Sequence, residues 1–204
     1  MIRFVLPLVF ALVAALPLRA EIQIEKVTTP GGLKAWLVEE HSIPFTALEI
    51  WFKGGTSLDR DGKRGAINLM TATLEEGAGD LDALGFTRAK ERLAADFDYD
   101  VSDDTLTVSA RFLTENRDEA MALLRESLIS PRFDQDAIDR VRGQVVSIIR
   151  SDEKDPNDMA GRSFETQAFG DHPYGTDSNG TIESITALTR DDILNAHADT
   201  MTRD

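Results

Sequence analysis

The sequence predicts an α+β fold, a two-layer sandwich in which a mostly antiparallel sheet is covered by helices. Three observations carry this expectation. Three strand-like runs follow the first twenty residues, a further strand pair lies near residue 100, and stretches of helical periodicity fill the intervals and the C-terminal half. Strands come first and in the middle, with helices between and after. No internal repeat and no low-complexity segment interrupts that order.

The first three strands are expected at Ile22 to Val27, Leu33 to Glu39 and Phe45 to Lys53. Pro30-Gly31-Gly32 and the polar stretch from His41 to Pro44 separate them as turn signals. In the third, Phe45, Ala47 and Glu49 face one way and Leu48, Ile50 and Phe52 the other, which reads as a strand partly covered on both faces. Gly54-Gly55-Thr56-Ser57 breaks it, and the charged loop Asp59 to Arg64 leads into a helix expected from Gly65 to Gly77. Ala66, Ile67, Leu69, Met70, Thr73 and Leu74 make that helix mostly buried, and Glu75-Glu76-Gly77 reads as an exposed end with a glycine stop.

Thr87 to Ala95 reads as a second helix. Phe97 to Val101 and Thr105 to Phe112 form an antiparallel pair around Ser102-Asp103-Asp104, since Asp and Ser favour turns through their own backbone hydrogen bonds. Asn116 to Ile129 and Gln135 to Arg150 are longer helices parted by Ser130-Pro131, with Asp134 the expected N-cap of the second. Ile138, Val141, Val145, Ile148 and Ile149 recur at helical spacing within it, so Ile148 is expected in the core. Pro156 starts another helix through Ala168, and Thr189 caps a last one from Arg190 to Thr200.

The chain has 204 residues and a formal net charge of −14. Residues 1–20 read as a secretory signal: Arg3 is the positive start, Phe4 to Leu16 the apolar stretch, and Leu18-Arg19-Ala20 the cleavage site. That stretch is too short for a good membrane span, and no Cys follows it to carry a lipid anchor. Export is therefore expected, to the periplasm in a Gram-negative source, and residues 21–204 form the mature domain. Losing Arg3 and Arg19 takes the formal charge to −16. Such an acidic chain disfavours nucleic acid, whose affinity comes mainly from Lys and Arg on phosphates, and offers no polybasic patch for anionic lipid. Without Cys there is neither a disulfide framework nor a thiolate metal site.

Candidate chemistry is sparse. The three His are His41 beside a turn, His172 before a proline, and His197 expected near the exposed face of the last helix. None has a His partner at i+3 or i+4, so they predict no zinc site. Asp103-Asp104 falls in the hairpin turn, and Asp98 with Asp100 shares one strand face, so neither pair is assigned hydrolytic work. Gly54-Gly55 and Gly77-Ala78-Gly79 are not phosphate loops, because no Gly-Lys-Ser/Thr follows.

An ordered set of residues nevertheless resembles a known family. His172-Pro173-Tyr174-Gly175 is followed by Gly180, Ile182, Ile185, Leu188-Thr189 and Asp191-Asp192-Ile193. Upstream, in the same order, stand Gly55-x-Ser57, Gly65, Ser130-Pro131-x-Phe133, Arg142 and Asp155-Pro156. This set resembles the N-terminal half of the insulinase, pitrilysin and mitochondrial processing peptidase superfamily, over nearly all of residues 22–204. In that family Gly-x-x-His-x-x-Glu-His opens a helix, its two His bind zinc and its Glu activates water.

Laid on Gly65, the motif puts the first His at Asn68, the catalytic Glu at Thr71 and the second His at Ala72; the later Glu ligand falls at Ile148. Alanine and isoleucine have no lone pair for a metal, and threonine cannot perform a carboxylate's proton transfer near neutral pH. The resemblance therefore implies a degenerate member with no catalytic, cofactor-binding or metal residue of its own. It also implies a zinc-bearing homologous subunit as partner, zinc held there, and extended peptides enclosed between the two. A family subunit ordinarily continues into further strands and a second, homologous half, so the chain is expected to be incomplete at its C-terminus. The other functional classes are a structural scaffold that keeps the fold, and an active zinc-dependent endopeptidase with a relocated site.

Overall fold

In the computed structural model residues 23–202 are described, so the signal predicted at residues 1–20 lies outside the described residues. The described residues divide into two compact units, one up to Ile43 and one from Pro44 onward. The described part of the first is an antiparallel hairpin of β1 (Glu25–Thr28) and β2 (Lys34–Leu37), in register Glu25 to Leu37 and Thr28 to Lys34. Both strands are shorter than the sequence predicts. Thr29 closes the turn, its Oγ1 accepting from Leu33 N at 3.1 Å.

The second unit is built on three antiparallel strands in the order β3 (Phe45–Lys53), β7 (Thr105–Leu113), β6 (Asp96–Val101). Phe45 pairs with Leu113 and Lys53 with Thr105, while Asp96 pairs with Arg111 and Val101 with Leu106. Along β7, Leu106, Val108, Ala110 and Phe112 are buried and the alternate residues are not. The expectation that β3 is partly covered on both faces is corrected: Thr46, Leu48, Ile50 and Phe52 are half-buried, whereas Phe45, Ala47, Glu49, Trp51 and Lys53 are exposed. Apolar residues on both faces of a strand do not require two covers.

Seven helices are described: α1 (Ala66–Ala72), α2 (Ala83–Arg92), α3 (Arg117–Ile129), α4 (Gln135–Asp152), α5 (Pro156–Phe169), α6 (Ile182–Ala187) and α7 (Arg190–Thr200). A two-strand ribbon, β4 (Gly77–Ala78) with β5 (Leu81–Asp82), joins α1 to α2. The core unites the inner face of the sheet with α1 to α4, α6 and α7; Phe86, Phe112, Phe133, Leu69, Met70, Ile138 and Ile193 are among its fully buried side chains. This is the α+β sandwich that the sequence predicts.

Two helix boundaries, one whole helix and one cap differ from expectation. α1 ends at Ala72 rather than Gly77: the chain tightens into i→i+3 bonds, Leu74 N to Thr71 O and Glu76 N to Thr73 O, and Thr73 Oγ1 bonds back to the carbonyls of Leu69 and Met70. Gly77 is no exposed stop; it is buried at the start of β4. α2 starts at Ala83 rather than Thr87, with Asp82 Oδ1 capping Gly85 N at 2.8 Å, so the cap accommodates a glycine in the first turn. α6 has no counterpart among the expected elements, although Thr181-x-x-Ser184 forms a capping box. Asp134 stands at the N-cap of α4, yet its carboxylate goes to Arg132 Nε at 2.6 Å instead of capping.

Candidate functional site

The four positions to which the resemblance assigns the ligands and the catalytic Glu are distributed over α1 and α4, which pack together. Asn68 is half-buried, and its Nδ2 donates to Asn179 Oδ1 at 2.8 Å. Thr71 is buried, with Oγ1 donating to Ile67 O at 2.8 Å, so its hydroxyl is spent within its own helix. Ala72 presents a methyl group on the exposed side of α1. Ile148 is 49% exposed, which corrects its assignment to the core. The buried stripe of α4 is Ala137, Ile138, Val141, Val145 and Ile149, and Ile148 stands one residue, about 100° of helix rotation, off it.

The helical frame around these positions is well built from sequence-local chemistry. Asp59, not the residue at the helix start, caps α1 from the preceding loop: Oδ2 accepts from Gly65 N at 2.7 Å and Oδ1 from Ile67 N at 2.9 Å. Arg64 lies beside it, with Nη1 3.4 Å from Asp59 Oδ2. The same guanidinium donates to the carbonyls of Thr56, Asp177 (3.1 Å), Pro173 (3.1 Å) and Thr176 (3.0 Å), gathering the 56–59 and 173–177 segments around the start of α1. None of these roles is legible in the sequence, where Asp59 to Arg64 reads only as a charged loop.

Burial raises the Asp59 carboxyl above its ordinary value of 3.8, against the opposing pull of the Ile67 and Gly65 amides and of Arg64. With the folded value above the unfolded one, the folded state holds more protons in the interval between them. Its favourable contribution is fully present below 3.8 and is lost as pH rises through the folded value. Comparing Asp59→Asn with the parent in urea titrations should show this: the parent's stability relative to the variant falls as pH rises just above 3.8. An unchanged difference across that interval would contradict the assignment.

The other sequence candidates do not converge on a site. His41 is exposed and lies 3.7 Å from Glu39. His172 caps the turn at 173–175, Nδ1 accepting from Tyr174 N at 3.3 Å. His197 is half-buried rather than on an exposed face; its Nε2 bonds Leu128 O at 2.8 Å and its ring stands edge-on to Phe133. Asp98 and Asp100 are exposed on β6. Asp103 accepts from Thr56 Oγ1 at 2.9 Å, and Asp104 accepts from Tyr174 Oη at 2.5 Å, a bond that holds the phenol's pKa above its usual range. Among the described residues no group of three or more His, Cys, Asp or Glu is arranged to hold a metal ion.

The residues at the family's zinc position do not fit zinc. An amide tied to another amide, a hydroxyl tied to its own helix, a methyl group and a branched alkyl chain replace two imidazoles and two carboxylates. A peptidase-type α+β frame with this substitution set defines a noncatalytic homologue of a zinc peptidase domain.

The chain belongs to the insulinase family, peptidase family M16, whose profile matches residues 34–181. It is 32% identical over 155 residues to a protein of Helicobacter pylori named a non-peptidase homolog, YmxG, covering 76% of this chain and 36% of that one. It is 25% identical over 174 residues to an uncharacterized zinc protease of Mycobacterium leprae, covering 84% of this chain and 39% of that protein. Among solved structures, an inactive M16 peptidase domain from Pseudomonas fluorescens superimposes with a TM-score of 0.82 at 27% identity, over 87% of this chain and 43% of the other. The chain thus spans less than half the length of these relatives. Over that span it is a noncatalytic member of the family.

Proposed function

We propose that this chain is the noncatalytic subunit of an exported peptidase, paired with a zinc-bearing homologue to enclose a peptide-degrading chamber. The observation that carries this reading is a site helix whose supports are elaborate and whose chemistry is gone. Asp59, Arg64 and Gly65 hold α1 in place, yet Asn68, Thr71, Ala72 and Ile148 supply neither metal ligand nor base. A frame kept without its reagents serves assembly and binding rather than bond cleavage. The names borne by the similar proteins, a non-peptidase homolog and an inactive domain, support the same reading.

In such a pair the zinc resides in the partner, and this chain contributes wall and peptide-holding surface. Strands β3 and β6 stand at the two ends of the described three-strand sheet. A sheet edge holds an extended peptide through backbone hydrogen bonds, a mode that gives affinity with little sequence preference. The secretory signal read at residues 1–20 supports a cell-envelope location for the assembly.

The test is reconstitution of the chain with the zinc-bearing homologue from the same source, following cleavage of an unstructured peptide together with metal content. Cleavage by the mixture alone, with zinc in the partner alone, is the expected result. Chelator-sensitive cleavage by this chain by itself would overturn the proposal. Co-purification without any gain in cleavage would replace it with a scaffold role.

A further inference from the structure

Asn179 and Gly180, in the 177–181 turn that precedes α6, form a chemically labile pair. An asparagine is prone to attack on its side-chain carbonyl by the next backbone nitrogen, and a following glycine, with no Cβ in the way, makes that attack easiest. Of the asparagines in the chain, Asn68, Asn116, Asn157, Asn179 and Asn195, only Asn179 precedes a glycine. The packing demands that glycine. Gly180 has a φ of 77°, and a Cβ on it would stand 2.4 Å from the carbonyl oxygen of Arg64 and 2.7 Å from Ser184 Oγ. The same turn ties down each group that the reaction would use. Gly180 N, the nucleophile, donates to Asp177 O at 2.9 Å. Asn179 Oδ1, on the carbon that would be attacked, accepts from Asn68 Nδ2 at 2.8 Å, and Asn179 N donates to Asp177 Oδ1 at 2.9 Å. Arg64 Nε, donating to Asp177 O at 3.1 Å, and Ser184 Oγ, donating to Arg64 O at 2.9 Å, fasten the turn to the start of α1. Gly180 is buried there and Asn179 half-buried.

We propose that Asn179 is a deamidation site gated by the fold, shielded while the 177–181 turn is docked on α1 and reactive when that turn opens. In the open turn Gly180 N loses its proton to water or hydroxide and attacks Asn179 Cγ. The new C–N bond closes a succinimide, and the side-chain nitrogen leaves as ammonia after taking a proton from water. One water molecule then opens the ring at either carbonyl, leaving an aspartate or an isoaspartate at position 179. The aspartate keeps an acceptor for Asn68 Nδ2. The isoaspartate adds a methylene to the main chain beside a glycine whose position leaves no room for displacement, so the altered turn cannot dock on Arg64 as before. The modification is thus expected to loosen the start of α1, and it does not depend on the peptidase pairing.

The test incubates the full chain at mildly alkaline pH, folded in buffer and unfolded in urea, and follows each asparagine by peptide mapping with mass spectrometry. In urea Asn179 should convert to aspartate and isoaspartate faster than the other four. In the folded protein its conversion should be at least about tenfold slower, the protection conferred by a local opening equilibrium. Hydrogen exchange at the Gly180 amide measures that opening in the unmodified protein, because this N–H is freed only when its bond to Asp177 O breaks. Dividing the unfolded rate by the Gly180 protection factor should therefore reproduce the folded rate. Ser184→Ala, which removes one fastening of the turn, should speed conversion in buffer and leave the rate in urea unchanged. Conversion in buffer as fast as in urea, or faster than Gly180 exchange allows, would overturn the gating. An Asn179 that reacts no faster than the other asparagines in urea would overturn the site itself.

Discussion

Replacing Arg64 by alanine is expected to destabilise the protein more than any other single truncation in the loop before α1. The side chain is 17% exposed and its carboxylate neighbour, on Asp59, 3%. Removing one member of such a pair leaves a buried charge uncompensated, a loss of about 3–5 kcal/mol in comparable cases. Asp59 answers by rising further towards its protonated form, which weakens its hold on the Gly65 and Ile67 amides and frays the start of α1. The carbonyls of Thr56, Pro173, Thr176 and Asp177 also lose their shared donor. Lysine should recover only part of the loss, since one ammonium cannot reproduce a planar fork that serves several acceptors at once. Equilibrium unfolding in urea reads the difference directly. A loss within about 0.5 kcal/mol, the range of an ordinary surface substitution, would show that the guanidinium does not organise this region.

The second large effect is expected at Gly65, where two costs add. Its φ of 92° and ψ of 0° lie in the left-handed region, which costs an L-residue about 1–2 kcal/mol. A Cβ there would also meet Asn179 O and Ile185 Cδ1, each at 2.6 Å, and the first of these is backbone that cannot swing aside. Overpacking of that kind costs about 1–3 kcal/mol, so Gly65→Ala should lose about 2–5 kcal/mol in all. Because the clash pushes on the 177–181 turn, Asn68 should lose its bond to Asn179 in the same variant. Gly143→Ala, on α4 with nothing within 4 Å of where the added methyl would stand, is the matched control and should be neutral or slightly stabilising. Equal losses at the two glycines would refute the steric account.

Much of the architecture is readable in the sequence because its signals are local. Period-two alternation marks β6 and β7, Pro156 marks the first turn of α5, and Thr189 marks the start of α7, where a capping box forms with Asp192. Sequence and structure part where a second contact competes with the local signal. Asp134 has the right place and backbone for a cap, but Arg132 two residues away takes its carboxylate. Ile148 has the right residue type for a core position, but the neighbours of α4 lie along the stripe through Val141, Val145 and Ile149, and its side chain points away from them.

By itself the sequence determined the α+β class, the family relationship and that positions 68, 71, 72 and 148 hold neither His nor Glu, because side-chain identity and spacing are properties of the chain alone. Only the tertiary structure decided what those positions do instead. The bonds from Asn68 to Asn179, from Asp59 to the α1 amides and from Arg64 to the 173–177 carbonyls depend on which distant groups are brought within about 3 Å, and no local pattern encodes that proximity.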